Sequence, residues 1–177
     1  MNVPGAALSG GVDIEQALAR MADELRPLLA HKPALIGIYT GGVWIARRLR
    51  ALLRLEEPLG TLDISFYRDD FTRIGMNPEV KASDLPVNID RRHVILADDV
   101  LHTGRTIRAA LNVIFDYGRP ASVTLAVLVD RNGRELPIQA DVVGQHMDLK
   151  QGQHVKLTSD SSNGEGTLEL KVQEVDG

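Results

Sequence analysis

The sequence predicts an α/β fold in which a central, mainly parallel sheet is flanked by helices. Continuous apolar runs, typical of strands buried on both faces, alternate along the chain with segments of helical periodicity. Three short polar or glycine-containing segments, 40–42, 98–106 and 130–133, each follow a predicted strand. Because ligands of such sheets bind at the carboxyl ends of the strands, we expect these segments to converge on one edge.

Length and composition restrict the class of protein. The chain has 177 residues, which predicts a single domain over 1–177 with room for a full core. It contains no cysteine, which excludes disulfides, thiolate nucleophiles and cysteine zinc sites. We see no signal-peptide pattern and no apolar run near the ~20 residues of a membrane span, so we expect a cytoplasmic protein without membrane partners. The net charge of −4 argues against indiscriminate coating of nucleic acid.

The first half of the chain predicts two helices and two strands. A helix is predicted over 13–30, with Asp13 and Gln16 as a capping pair and Pro27 disfavouring a regular last turn. The other elements follow in order: a strand over 34–39, a helix over 43–55 and a strand over 61–67. We expect Trp44 in the core and the arginines of the second helix largely on a solvated or interfacial face.

The second half continues the alternation. Residues 93–97 predict a buried strand, 105–117 a helix that ends at the glycine and proline of 118–120, and 122–129 another buried strand. Later apolar runs are short, and the polar segment 159–166 predicts an exposed hairpin tip.

The segment 94–111 carries the most chemical information. An apolar run ends in Asp98 and Asp99, and a Thr-Gly-Arg-Thr turn then leads into a helical pattern. Carboxylates accept hydrogen bonds from vicinal hydroxyls and hold Mg²⁺ through water, whereas a turn at a helix N-terminus binds phosphate. The pattern predicts a site for a phosphorylated sugar. The alternative is an ordinary buried strand before a capped helix. It does not explain the two unpaired carboxylates at the end of the strand, because charge is rarely buried without a partner.

The same segment resembles the phosphoribosyl pyrophosphate (PRPP) motif of type I phosphoribosyltransferases. Over residues 13–145 the chain is similar to the family of bifunctional pyrimidine operon attenuation regulators and uracil phosphoribosyltransferases. The stretches that carry this resemblance are 39–46, 62–70, 94–106, 118–120, 125–131 and 134–138. The resemblance implies the type I phosphoribosyltransferase fold with a small C-terminal hood over 134–177. It also implies synthesis of UMP and pyrophosphate from uracil and PRPP with Mg²⁺, in a homodimer or higher homo-oligomer.

By this resemblance, Asp98 and Asp99 hold the ribose hydroxyls and the water shell of Mg²⁺. The residues that would surround the 5′-phosphate of PRPP are Val100, Leu101, His102, Thr103, Gly104, Arg105 and Thr106. Pyrophosphate would bind to Thr40, Gly41, Gly42 and Arg73, with Arg68 as a further catalytic cation and Lys81 as a weaker candidate. Arg131 would lie beside uracil under Val155 of the hood. A flexible loop over 69–92 would close the site, since a connection of that length is typically functional or mobile.

Several residues also have a simpler interpretation. His102 is more readily a solvent-facing loop residue than a catalytic one, and Arg131 could instead form an ion pair with Glu135. Gly41 and Gly42 could make only a tight turn. Because purine-using relatives carry an acid where His102 stands, its absence favours a pyrimidine substrate.

Two other functions compete with catalysis. A nucleotide-sensing, RNA-binding attenuator of the pyrimidine operon with weak or no catalysis would contact leader RNA through Arg20, Arg26 and Lys32. This first helix has few basic residues, so we expect weak RNA binding. A signalling receiver domain also places acids at a strand end, but it requires a phosphoacceptor Asp and a Lys at later strand ends.

Overall fold

A computed structural model describes residues 12–65 and 83–175 of the chain. The helices are α1 (Ile14–Leu25), α2 (Gly41–Leu53) and α3 (Arg105–Tyr117), and a 3₁₀ helix (Arg26–His31) extends α1. The strands are β1 (Ala34–Ile38), β2 (Gly60–Leu62), β3 (His93–Leu101), β4 (Ser122–Arg131), β5 (Val142–Met147), β6 (Gln153–Ser159) and β7 (Leu168–Glu174). Among these described residues, no helix is both long enough and apolar enough to cross a membrane.

The predicted α/β fold is confirmed. Five parallel strands form one sheet in the order β2-β1-β3-β4-β5, and β6 and β7 form a separate antiparallel hairpin. The strands are apolar on both sides because helices cover both faces: α1 and α2 pack on one face, and α3 packs on the other. The chain runs outward from β1 to β2 and returns to β3, so the order reverses between β1 and β3. Ligand sites of α/β sheets form at such a point.

Two predicted elements at the amino end are shorter than expected. The α-helix predicted over 13–30 ends at Leu25 and continues as a 3₁₀ helix with Pro27 in its first turn, because proline lacks the N–H that an α-helical bond requires. In the described part of the strand predicted over 61–67, pairing with β1 extends as far as Leu62, which lies opposite Ile38 at the end of β1. The Asp63 carboxylate then accepts bonds from the N–H and hydroxyl of Ser65, which turns the chain.

The loop predicted over 69–92 lies partly outside the described residues. Its described part, 83–92, is held against the sheet. Thr61 and Asp84 exchange two backbone hydrogen bonds of 2.8 Å, and Ile89 is buried in the core. The strands at the site are longer than predicted, since β3 continues to Leu101 and β4 to Arg131.

The hairpin tip predicted over 159–166 is confirmed, because residues 160–167 join β6 to β7, but the tip is only partly exposed. The Arg48 guanidinium donates to the carbonyl oxygens of Gly164 and Gly166, at 3.3 and 2.5 Å, and Arg47 donates to that of Asn163 at 2.9 Å. Trp44 packs directly on Gly164, where a Cβ atom would lie 2.1 Å from the indole ring. Arg47 and Arg48 therefore make this face of α2 interfacial by docking the hairpin, although Arg47 stays exposed. The strand β6 was not predicted from the sequence.

Candidate active site

The 40–42 and 98–106 segments meet at the carboxyl edge of the sheet, as predicted. A Cβ atom on Gly41 would lie 2.2 Å from Asp99 Oδ2, and one on Gly42 would lie 3.0 Å from Asp98 Oδ1. The start of α2 therefore touches both carboxylates, and only glycine permits this approach. The two glycines do more than make a tight turn, because they bring the first N–H groups of α2 beside the acidic pair.

The acidic pair lies inside β3 and not in the turn after it. Asp98 is 4% exposed and Asp99 is half-buried. Asp98 Oδ1 accepts from the Asp99 N–H at 2.9 Å, and Asp99 Oδ1 accepts from the Val100 N–H at 2.8 Å. Because β3 extends through Leu101, the main chain of Val100 and Leu101 belongs to the strand, and the turn itself comprises 102–104.

The 102–104 turn places a helix N-terminus at the same edge. Gly104 has φ 96°, a conformation that favours glycine, and α3 begins at the next residue. The Thr103 hydroxyl accepts from the Arg105 N–H at 3.2 Å. Thr40 and Gly104, the N-cap residues of α2 and α3, make no side-chain cap bond within the described residues, so Thr103 satisfies only the Arg105 N–H. The two helix ends therefore present N–H groups and the positive end of the helix dipole, which together favour anions.

Arg131 lies at the end of β4, where it joins the sheet to the C-terminal hairpin. It is 8% exposed and donates to the Gln153 carbonyl oxygen at 2.9 Å and to that of Asn132 at 3.1 Å. Burial lowers the pKa of the Arg131 guanidinium. The alternative ion pair with Glu135 is wrong, because Glu135 pairs with Arg105 at 2.9 Å.

His102 is half-buried in the turn, so the residue is partly covered and partly accessible to solvent. Its ring centroid lies 6.4 Å from that of His154 on β6, in an edge-to-face arrangement. Burial, together with the nearby charges of Arg131 and His154, lowers the pKa of His102 below its ordinary value of 6.5. Arg134 adds to this lowering, whereas Glu135 opposes it.

Three residues of this region were not singled out from the sequence: Asn132, Arg134 and His154. Arg134 bridges the Asp130 carboxylate and the His102 carbonyl oxygen. The Asn132 side chain exchanges two hydrogen bonds with the backbone of Leu149, at 2.9 and 2.8 Å. Proximity of Arg134 to Asp130 in the sequence was a weak signal, but no local pattern brings His154 to His102.

The comparisons with known proteins agree with this geometry. The family described as phosphoribosyl transferase domain matches residues 10–162. The bifunctional protein PyrR of Nitrosococcus oceani is 60% identical over 159 residues, which cover 89% of this chain and 85% of that protein. Its counterpart in Pseudomonas paraeruginosa is 59% identical over 146 residues, covering 80% and 86%. The chain belongs to the PyrR family of type I phosphoribosyltransferases.

Solved structures support the fold of this PyrR-family chain. A hypoxanthine phosphoribosyl transferase from Trypanosoma cruzi superposes with a TM-score of 0.65 at 20% identity, covering 92% of this chain and 87% of that one. A hypoxanthine-guanine phosphoribosyltransferase from Bacillus anthracis gives 0.57 at 21% identity, covering 75% and 80%. At these identities the likeness concerns the fold alone.

The remaining predicted site residues fall in different places. Arg68, Arg73 and Lys81 lie outside the described residues. Val155 lies on β6, opposite Val172, and packs partly on the core beneath the hairpin.

Two of the three predicted RNA-contacting side chains, those of Arg20 and Arg26, make bonds within the chain. The Arg20 guanidinium donates to the Gly144 carbonyl oxygen at 2.9 Å, and Arg26 forms an exposed ion pair with Asp23 at 3.0 Å. The carbonyl oxygen of Lys32 accepts from Arg92 at 2.5 Å. Lys32 precedes β1 and therefore lies at the amino edge of the sheet, opposite the edge that holds the acidic pair.

Proposed function

We propose that this protein is a uracil phosphoribosyltransferase that makes UMP and pyrophosphate from uracil and PRPP. The proposal rests on the contact of Asp98 and Asp99 with the two glycines at the start of α2. This contact places two carboxylates between two uncapped helix ends, as a phosphorylated ribose with a pyrophosphate leaving group requires. Membership of the PyrR family supports the same chemistry.

In this proposal each part of the edge binds one part of PRPP. Asp98 and Asp99 accept hydrogen bonds from the ribose hydroxyls. The 102–104 turn and the first turn of α3, including Arg105 and Thr106, bind the 5′-phosphate. Thr40 and the two glycines at the start of α2 bind pyrophosphate through N–H groups. In this arrangement the acidic pair lies between the two anion sites, as the ribose ring lies between the 5′-phosphate and the pyrophosphate of PRPP.

The residues present fit Mg²⁺ held jointly with the substrate. Within 12–65 and 83–175, no group of three or more His, Asp or Glu residues could hold a metal ion alone. Mg²⁺ commonly binds one or two carboxylates, with water and substrate phosphates completing its octahedron. Asp98 and Asp99 would hold the water shell of the ion, which would supply charge neutralisation at the pyrophosphate.

The reaction requires positioning more than covalent chemistry. The bond between C1′ and the pyrophosphate oxygen breaks, a bond from uracil N1 to C1′ forms, and the N1 proton leaves to solvent. The positive charge that develops on the ribose ring lies near the Asp98 and Asp99 carboxylates, which stabilise it electrostatically. Arg68 and Arg73 are the proposed cations for the leaving group.

Uracil is the proposed base because of the residues between β4 and the hairpin. The position that holds an acid in purine-using relatives is His102, whose imidazole lies beside Arg131 and His154. Arg131 is fixed by the Gln153 carbonyl oxygen, so the hairpin that includes Val155 would cover the base.

RNA-dependent regulation is a second proposed function, supported by the name of the bifunctional relatives. Arg20 donates to a carbonyl oxygen and Arg26 pairs with Asp23, so few guanidinium donors remain free for phosphate contacts on α1 and the 3₁₀ helix. We therefore expect pyrimidine leader RNA to bind weakly at moderate salt. A gel-shift titration that shows tight, salt-dependent binding would contradict this expectation. A homodimer or higher oligomer in the cytoplasm is part of the same proposal.

The test is formation of UMP from uracil and PRPP with Mg²⁺, with orotate and hypoxanthine as alternative bases. Uracil-dependent UMP, with little product from the other bases, would support the proposal. Turnover with hypoxanthine in place of uracil would contradict the choice of base. Binding of PRPP or UMP without any turnover would favour the nucleotide-sensing regulator.

A further inference from the structure

The carbonyl groups of the 102–104 turn are held by the segment that follows β4. Arg134 Nη1 donates to the His102 carbonyl oxygen, and Nη2 donates to the Asp130 carboxylate at 2.6 Å. The N–H groups of Glu135 and Leu136 donate to the Thr103 carbonyl oxygen at 2.9 and 3.0 Å. Two successive carbonyl groups of the turn therefore face residues 134–136.

These bonds determine where the N–H groups of the turn point. In a trans peptide the N–H lies opposite the C=O in one plane. The Thr103 N–H shares a peptide with the His102 carbonyl, and the Gly104 N–H shares one with the Thr103 carbonyl. Both N–H groups therefore point away from residues 134–136, toward the side on which an anion would meet the N-terminus of α3.

We propose that Arg134 is a positioning residue for the 5′-phosphate of PRPP, an inference that rests on the proposed function. Arg134 holds the His102 carbonyl and thereby aims the Thr103 N–H at the phosphate, without touching the phosphate itself. The planar guanidinium suits this purpose because two of its nitrogens reach two fixed acceptors at once. The second acceptor, Asp130, lies at the end of β4 and ties the turn to the rigid sheet.

Geometry, and not positive charge, is the contribution of Arg134. Its partner Asp130 carries the opposite charge at 2.6 Å, and the side chains of the pair are only 27% and 15% exposed. The net charge that this ion pair presents to a bound phosphate is therefore close to zero. Lysine would keep the charge but not the bridge between two acceptors. Arg108, one helical turn into α3, is an exposed arginine without a side-chain bond to any described residue, and it serves as the matched control for loss of a nearby charge.

The test compares wild type with Arg134→Gln, Arg134→Lys and Arg108→Gln. PRPP binding with Mg²⁺ is measured by calorimetry, UMP formation gives kcat and both KM values, and thermal melting reports folding. We expect Arg134→Gln to raise the Kd and KM for PRPP about tenfold, while kcat and the KM for uracil change by less than about twofold. Arg134→Lys should recover only part of the affinity, and Arg108→Gln should bind PRPP as wild type does.

Each contrary outcome has its own meaning. Equal PRPP affinity in Arg134→Gln and wild type would overturn the inference and leave the proposed function intact. Full recovery in Arg134→Lys, or an equal loss in Arg108→Gln, would show that charge matters and would also overturn it. Absence of PRPP binding in wild type would overturn the proposed function itself. If Arg134→Gln does not fold, Asp130→Asn should still weaken PRPP binding about threefold, and an unchanged affinity would contradict the inference.

Discussion

The N-terminus of α1 is closed by a side chain, whereas those of α2 and α3 are open. Asp13 accepts from the Gln16 N–H at 3.1 Å, the usual way to satisfy the first N–H groups of a helix. The corresponding positions of α2 and α3 are Thr40 and Gly104, which form no such side-chain bond within the described part of the chain. The closed end lies beside Met147 and β7, whereas both open ends border the turn and the acidic pair of the candidate site.

This difference separates two uses of a carboxylate. The Asp13 carboxylate stabilises the helix that it begins, and it is exposed. Asp98 and Asp99 instead lie against the start of a neighbouring helix, where Gly41 allows close contact. A carboxylate that caps its own helix contributes to stability. A carboxylate held beside an uncapped helix is arranged for a ligand, and the two types should respond differently to the same substitution.

The largest expected effect is on catalysis at the open ends. In the proposed mechanism, Asp99→Asn removes the charge that would stabilise the developing positive ribose and would hold the water shell of Mg²⁺. We expect kcat to fall about 100-fold or more, with little change in Tm, because the amide can still accept from the Val100 N–H. UMP formation and thermal melting measure the two quantities.

Asp13→Asn is the matched control, because it makes the same chemical change at the closed end. Asparagine caps a helix about as well as aspartate, so both activity and stability should stay near wild type. Wild-type turnover in Asp99→Asn would remove that carboxylate from the mechanism.

A smaller effect, on stability alone, is expected at the closed end. Asp13→Ala removes the cap of α1 and should lower the free energy of unfolding by about 1 kcal/mol. Urea titration measures this change, and kcat and KM should be unaffected because the Asp13 carboxylate bonds to its own helix and not to the acidic pair. Loss of activity at unchanged stability would mean that α1 contributes to the site and would break the distinction between the two kinds of helix end.

The sequence predicted best what is locally encoded. The bounds of α3 agree with the predicted 105–117 because glycines flank both ends of the helix. The Asp13 cap and the meeting of 40–42 with Asp98 and Asp99 also follow from local pattern and from the geometry of parallel sheets.

Long-range polar contacts account for the misses. The hairpin tip is held by Arg47 and Arg48 through main-chain oxygens more than 100 residues away, and carbonyl groups carry no sequence signal. Arg105, an arginine 30 residues upstream, pairs with Glu135 in place of Arg131. In the same way, Arg134 reaches His102 through a backbone atom.

The smallest expected effect is on the pH dependence of stability, through His102 in the turn before α3. Burial and the neighbouring Arg131 and His154 lower the pKa of His102, so the unfolded chain binds more protons than the folded one just below pH 6.5. The contribution of His102 to the free energy of unfolding is therefore complete above about pH 6.5 and is lost as the pH falls through the lower, folded-state pKa. Urea titrations between about pH 5 and 8 measure this loss.

His102→Gln should reduce the loss of stability on acidification, since a neutral amide has no proton to gain. The control is Arg108→Gln, at an exposed side chain of α3 that does not titrate in this pH range, and it should keep the wild-type pH dependence. An unchanged pH dependence in His102→Gln would show that the folded chain holds the His102 proton as readily as the unfolded one. No histidine lies near Asp13 in the sequence, so the loss of stability below pH 6.5 would then come from neither helix end. A reduced pH dependence would instead tie that stability to the turn where the 5′-phosphate is proposed to bind.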